Sequence, residues 1–224
     1  MIGPPAPVIL DNMLLVVFVD GGAASLLPAL AGGSIFLSPS ILNPYEPTDD
    51  VHEGGSEFVA GMRRYRRQGD PASLTYLGRR MAFCERPSGL WTPAEPTASE
   101  LELALRLRRR ETREQARTEA ARQKLPVLRV ARIDPGEAEC AALAITREWR
   151  FWSDDSGMVP LLRALYPQVL VERSGALVAR AINEGLLSYV DGRHLYEDVF
   201  KTELNLYSRA VLRWDGRQAV CVVP

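Results

Sequence analysis

The fold class of this 224-residue chain is decided by residues 128–165, which read LRVARIDPGEAECAALAITREWRFWSDDSGMVPLLRAL. The hydrophobic pattern and the Pro135-Gly136 start signal predict alternating strands and helices here. The predicted elements are a strand over 125–133, a helix over 137–147, a strand over 150–153 and a helix over 157–165. Strands separated by helices indicate a mostly parallel sheet that helices cover on both faces.

The flanking segments extend the same pattern. Toward the N-terminus we predict strands over 7–10 and 34–42 and a short helix over 25–30, while the apolar run 12–19 fits a strand or a buried helix equally well. Further helices are expected over 58–68, 73–83 and 99–124, the last with Ser99 as N-cap and Glu102 three residues on. Beyond 165 we expect a strand over 169–172, helices over 174–184 and 196–208, and strands over 210–214 and 218–223. Asp215-Gly216 between the last two strands is a strong hairpin signal.

Together these elements predict an α/β protein with a central, mostly parallel sheet flanked by helices. We place the α/β domain at 1–188, with a largely helical insertion at about 47–124 that is rich in Pro, Gly and Asp at its edges. Residues 189–224 form a C-terminal extension with a β-hairpin, which we expect to pack on the same domain.

Composition narrows the functional class. Hydrophobic residues make up 46% of the chain and charged residues 25%, and the net charge is −1. The net charge alone therefore does not indicate binding to nucleic acid or to a membrane. The N-terminus lacks a basic segment and Asp11 interrupts its apolar run, so we expect neither a signal peptide nor a transmembrane helix. Three scattered cysteines and two histidines give no zinc or disulfide pattern. We therefore expect reduced thiols in a cytoplasmic protein.

Four carboxylates border the predicted elements: Asp11, Glu137, Asp154 and Asp155. The carboxyl ends of parallel strands meet at one rim, where open α/β sheets bind their ligands. Carboxylates gathered there suggest a site for Mg²⁺ or Mn²⁺, since hard cations prefer oxygen ligands. Each acid also has a simpler interpretation. Asp11 suits a helix cap, Glu137 suits a helix N-terminus, and Asp154-Asp155 suits a turn.

Three segments resemble the PIN-domain family of metal-dependent nucleases. They are VILDNMLLVVF at 8–18, LSPSILNPYE at 37–46, and the block 128–165 followed by ERSGALVARAINEGLLS at 172–188. The third segment is similar to the branch that reads GEAEA…ALA and then Asp-Asp. The resemblance covers roughly 7–46 and 125–188.

The resemblance implies a hydrolase, namely a Mg²⁺- or Mn²⁺-dependent ribonuclease. Asp11, Glu137, Asp154 and Asp155 match the family's catalytic, metal-binding acids; Asp155 fits the register better than Asp154, and Glu46 is the nearest candidate for a further acid. Many members are the toxin of a toxin–antitoxin pair, so the resemblance implies an RNA substrate and a small antitoxin-like partner. The insertion 47–124 is a candidate contact for that partner, for a second copy in a homodimer, or for the substrate.

A second function remains open, in which the fold has lost catalysis and serves as a protein or RNA interaction module. A basic cluster, Arg63, Arg64, Arg66 and Arg67 around Tyr65, bears on both functions. Such a surface suits phosphate contacts and base stacking. The same pattern is typical of a solvated helix face.

Overall fold

A five-stranded parallel sheet forms the centre of the protein in the computed structural model, which describes residues 5–43, 55–85, 90–125, 132–204, 211–215 and 218–222. Its strand order is β3-β2-β1-β4-β5. The strands are β1 (Val8–Leu10), β2 (Ile35–Leu37), β3 (Thr92–Pro93), β4 (Arg150–Trp152) and β5 (Val171–Glu172). The predicted α/β class with a parallel sheet is confirmed.

Helices surround the sheet. They are α1 (Asn12–Asp20), α2 (Leu26–Ala31), α3 (Glu57–Gln68), α4 (Pro71–Glu85), α5 (Ala98–Leu107), α6 (Arg110–Arg122), α7 (Pro135–Arg147), α8 (Met158–Leu165), α9 (Ser174–Asn183) and α10 (Tyr189–Arg193). The ambiguous apolar run after Asp11 is thus a helix. Asp11 favours the helix because it is an N-cap residue. Its backbone is extended, and its side chain accepts a hydrogen bond from the Leu14 amide.

The register of the sheet brings distant segments to one edge. Val8 lies opposite both Ile35 and Arg150, and the Asp11 amide donates to the Trp152 carbonyl at 3.1 Å. The chain therefore leaves β1 and β4 side by side. The carboxyl ends of these two central strands place Asp11 beside the segment that follows Trp152.

The segment 99–124 differs from its prediction because it forms two helices, α5 and α6, that separate at Arg108 and Arg109. The helices pack against different partners, α5 against α7 and α6 against α8, so the chain changes direction between them. The N-cap of α5 is Thr97, not Ser99, with Glu100 completing the capping box.

The sheet has an edge strand in a segment that the sequence marks as irregular. Thr92–Pro93 pairs with β2 through Phe36 and Leu37. Proline is tolerated there because an edge strand needs to donate on one side only. The predicted strand over 125–133 cannot be compared, since 126–131 lie outside the described residues.

The C-terminal extension contains α10, a π-helix (His194–Glu203) and the antiparallel hairpin β6 (Val211–Asp215) and β7 (Gln218–Val222). The predicted hairpin is confirmed. Phe200 of the π-helix meets Phe18 of α1 at 5.2 Å between ring centres, and Asn183 of α9 donates to the Ala219 carbonyl. No helix within the described residues is both long and apolar enough to cross a membrane.

Candidate functional site

A cleft of about 680 Å³ opens beside the carboxyl ends of β1 and β4. Helices α1, α3 and α7 line it, together with the loop after β4 and the end of the π-helix. Four carboxylate residues share its wall: Glu57, Asp134, Glu137 and Asp154. The cleft also has two arginines, Arg64 and Arg80, and an aliphatic side. Acids from three separate stretches of chain thus face one opening.

Asp11 lies fully buried behind the cleft. Its Oδ1 accepts a hydrogen bond from the Leu14 amide at 2.9 Å, and its Oδ2 accepts one from the Ser153 hydroxyl. Both carboxylate oxygens are therefore held in place. The same Ser153 hydroxyl accepts from the Asp155 amide at 3.0 Å, so Ser153 fixes Asp11 relative to the Asp154-Asp155 turn.

The two neighbouring aspartates take different positions. Asp154 lines the cleft, and its Oδ1 accepts from the Ser174 amide at the start of α9. The Oδ1 of Asp155 accepts from the Gly157 amide at 2.7 Å and from the Met158 amide, which ties this residue to the start of α8. Of the pair, Asp154 is the one that lines the opening.

Glu137 lies half-buried in the first turn of α7 and lines the cleft. Its Oε2 accepts from the Asp134 amide at 3.1 Å, which forms a capping box. Glu137 therefore combines the predicted helix-start role with a position in the acid cluster. The α7 helix is fixed below it, where the Cys140 thiol donates to the Leu10 carbonyl.

Burial and mutual repulsion raise the pKa values of two of these acids, Asp11 and Glu137. Burial raises the pKa of Asp11 to about 8; the charges of Asp154 and Asp155 add to this, against the opposing hydrogen bonds from Leu14 and Ser153. The pKa of Glu137 also rises to about 8, first through burial and then through the charge of Asp155. Such perturbed carboxyls in a cleft mark a candidate functional site. The raised pKa values mean that the surrounding protein does not fully stabilise the ionised forms of Asp11 and Glu137.

Glu57, at the start of α3, joins the cluster although the sequence did not single it out. Its Oε1 accepts from the Gly136 amide at 3.3 Å, and burial raises its pKa, with Asp134 and Glu139 adding. A signal was present, since Ser56-Glu57 opens a predicted helix. Glu57 lies far from the end of β2 along the chain, so the sequence pattern did not connect it with the site. Glu46, the acid suggested instead, lies outside the described residues.

The fit of a divalent cation rests on charge and donor type. All the donors are carboxylates, and the raised pKa values of Asp11 and Glu137 mean that a nearby cation would stabilise their ionised forms. Among the described residues, however, no three His, Cys, Asp or Glu side chains lie close enough together to hold a metal ion. The arrangement therefore suits Mg²⁺ or Mn²⁺ bound by one or two carboxylates with retained waters, as Mg²⁺ commonly is.

Comparison with known proteins gives little beyond these observations. The chain matches no protein-family model and no curated protein sequence. Among solved structures it is similar to VapBC2 from Rickettsia felis, crystallised bound to a DNA fragment from their promoter. The identity is 13%, the TM-score is 0.36, and the match covers 75% of this chain and 98% of that chain. A likeness of this size tells nothing about the activity of the present chain.

Proposed function

We propose that this protein is a Mg²⁺- or Mn²⁺-dependent ribonuclease of the PIN type. One observation carries the proposal. Glu137 and Asp154, which are remote in sequence, line one cleft, and the buried Asp11 lies close enough to Glu137 to raise its pKa. Burial and repulsion raise the pKa values of Asp11 and Glu137 to about 8. The PIN resemblance of the segments around these acids supports the same activity.

The positions of the acids suggest different roles in binding the cation. Glu137 and Asp154 line the cleft and would hold the cation, with Asp155 close enough to Glu137 to raise its pKa. Asp11 lies behind them, where Ser153 fixes its orientation, and would add negative charge once a bound cation favours its ionised form. When bound, the metal ion lowers the pKa of water and neutralises charge that develops on the phosphate. No side-chain nucleophile is required.

RNA as substrate and a small antitoxin-like partner follow from the family resemblance, which also motivates our proposal that the protein acts in a toxin–antitoxin pair in the cytoplasm. Helices α3–α6, which lie in the insertion 47–124, remain the proposed contact for that partner or for a second copy. Removing the partner from the purified protein is therefore part of the test of activity.

The test is cleavage of a mixed pool of single-stranded and structured RNA by partner-free protein with Mg²⁺ or Mn²⁺. Asp11→Asn and EDTA should both abolish cutting. Glu102→Gln is the matched control, since Glu102 is an exposed carboxylate on α5 away from the cleft. The proposal fails if a folded wild-type protein does not cut, or if Asp11→Asn cuts as well as the control.

A catalytically inactive interaction module is the second candidate function. It is favoured by the absence of a three-ligand metal cluster among the described residues and by the structural hydrogen bonds that Asp11, Glu137 and Asp155 already make. Mn²⁺ separates the two functions. Since a ligand that binds only the folded state raises its stability, the nuclease should melt at higher temperature with Mn²⁺. The module should not respond.

A further inference from the structure

One face of α3 forms a wall of the cleft. Glu57, Ala60, Gly61 and Arg64 line it, at helical spacings of three, four and seven residues from Glu57. Such positions lie on one side of a helix. At 1.5 Å per residue, Arg64 lies ~10 Å along α3 from Glu57. The helix thus presents an acid at the inner end of the cleft and a base farther out.

The two cleft arginines have different surroundings. Arg80 is almost fully buried, and its guanidinium makes two hydrogen bonds with the Asp20 carboxylate, at 2.8 and 2.7 Å. Its charge is therefore neutralised within the protein. Arg64 is exposed to solvent. Among the described residues that line the cleft, Arg64 is the cation that a solute can reach.

A buried network fixes α3 in this orientation. The Tyr65 hydroxyl donates to Asp20 Oδ2 at 2.7 Å, and Arg80 donates to the Phe58 carbonyl at 3.2 Å. The Arg64 guanidinium lies 5.4 Å from the centre of the Tyr65 ring and contacts its hydroxyl. Because Tyr65 is buried and bonded, it cannot stack a base in the way the basic cluster suggested. A contact between this cluster and a nucleic acid would therefore depend on charge.

The wall provided by α1 and the C-terminal extension is aliphatic, with Met13, Val16 and Leu204 among its residues. Met13 is 43% exposed, so it offers apolar surface to a solute. The cleft thus combines carboxylates, one accessible arginine and an apolar surface. The arginine suits a phosphate of a nucleotide, and the apolar surface suits its base. Unpaired bases can use such apolar surface, whereas paired bases are stacked within a duplex.

We propose that Arg64 binds a backbone phosphate of a single-stranded nucleic acid in this cleft, beside the phosphodiester that the acids address. This inference rests on the proposed function, because it assigns the substrate contact of the same site. An arginine at this position offsets the repulsion between a polyanion and the carboxylates of the cleft. Phosphate contacts position a strand without reading its sequence.

The test measures binding in EDTA, where no metal-dependent cutting occurs. Fluorescence anisotropy of a labelled oligouridylate is recorded over a series of salt concentrations for wild type, Arg64→Ala, Arg64→Lys and Arg66→Ala. Arg66 is the charge-matched control, because it is also exposed on α3 but lies ~160° around the helix from Arg64. Circular dichroism confirms that each variant is folded.

Arg64→Ala should weaken binding about tenfold, the size expected for a hydrogen bond between charged groups. It should also reduce the slope of log affinity against log salt by ~0.7, the value for one phosphate on a single strand. Arg64→Lys should retain most of the affinity, and Arg66→Ala should leave both quantities unchanged. The oligodeoxyuridylate should show the same Arg64 effect, since the contact is to phosphate.

Three results would overturn this assignment. They are equal losses in Arg64→Ala and Arg66→Ala, an Arg64 effect confined to the ribose oligomer, and no binding by the wild type. Because binding is measured without cleavage, the assignment and the nuclease activity can fail separately. An Arg64-specific loss of binding in a protein that does not cut RNA would support the contact and count against the nuclease.

Discussion

Proton uptake by Asp11 predicts that the metal-free protein becomes more stable as the pH falls from about 7 to about 5. Burial raises the pKa of Asp11 from 3.8 to about 8. At neutral pH the group is therefore protonated in the folded protein and ionised in the unfolded chain. Its contribution to stability is complete below pH 3.8 and is lost as the pH rises toward 8.

The magnitude follows from linkage. One proton bound only in the folded state changes the free energy of unfolding by ~1.4 kcal/mol per pH unit, so two units give ~2–3 kcal/mol. Glu137, whose pKa is also raised to about 8, takes up a proton over the same range, but it interacts with Asp11, so the two contributions do not simply add. Glu100 acts in the opposite direction. Its hydrogen bond with Arg147 lowers its pKa from 4.5 to about 2, and its contribution is lost as the pH falls through that range. The gain should therefore end near pH 5.

Urea unfolding followed by tryptophan fluorescence, in EDTA and at several pH values, measures this dependence. The wild type and the Glu102→Gln control should gain stability from pH 7 to pH 5. Asp11→Asn should lose part of that gain, because the amide cannot take up the proton, whereas Glu137 still can. A wild type that is unchanged or less stable at pH 5, or an Asp11→Asn variant with the same gain, would refute the reasoning.

Three further predictions follow from the contacts around the cleft. Glu137→Gln should keep the cap on α7, because glutamine also suits that position of a capping box, but should lose metal-dependent RNA cleavage in the pool assay. Arg80→Met should lower the free energy of unfolding by ~3–5 kcal/mol in urea, since it leaves the Asp20 carboxylate buried without its cation; adding Asp20→Asn should recover part of the loss. Gly136→Ala should reduce cleavage by moving Glu57, because a Cβ at this position would lie 2.5 Å from Glu57 Oε1; unchanged activity would contradict this.

The elements with strong local signals were predictable from the sequence. The buried strand before Asp11, the helix opened by Pro135-Gly136 and the hairpin around Asp215-Gly216 each combine a hydrophobic pattern with a start or turn signal. Because parallel strands end at one edge, the approach of Asp11 to the Asp154-Asp155 turn was also predictable.

The parts that escaped prediction depend on tertiary contacts. Thr92–Pro93 is too short to show periodicity and is a strand only because β2 offers an open edge. The break between α5 and α6 has no Pro or Gly to mark it and arises from packing on two different helices. Glu57 reaches the site through the docking of α3, which depends on the buried Asp20–Arg80 pair. No local pattern reports such a contact.

The most direct test of the central claim, that the converging acids form a metal site, is Mn²⁺ binding measured by electron paramagnetic resonance on partner-free protein at pH 7.5. We predict weak binding of roughly one to two Mn²⁺ per chain, the number that carboxylate nuclease sites use. Glu137→Gln should abolish this binding, and Glu102→Gln should retain it. Absence of Mn²⁺ binding by the folded wild type, or equal binding by Glu137→Gln, would contradict the account and leave Glu137 as a helix cap.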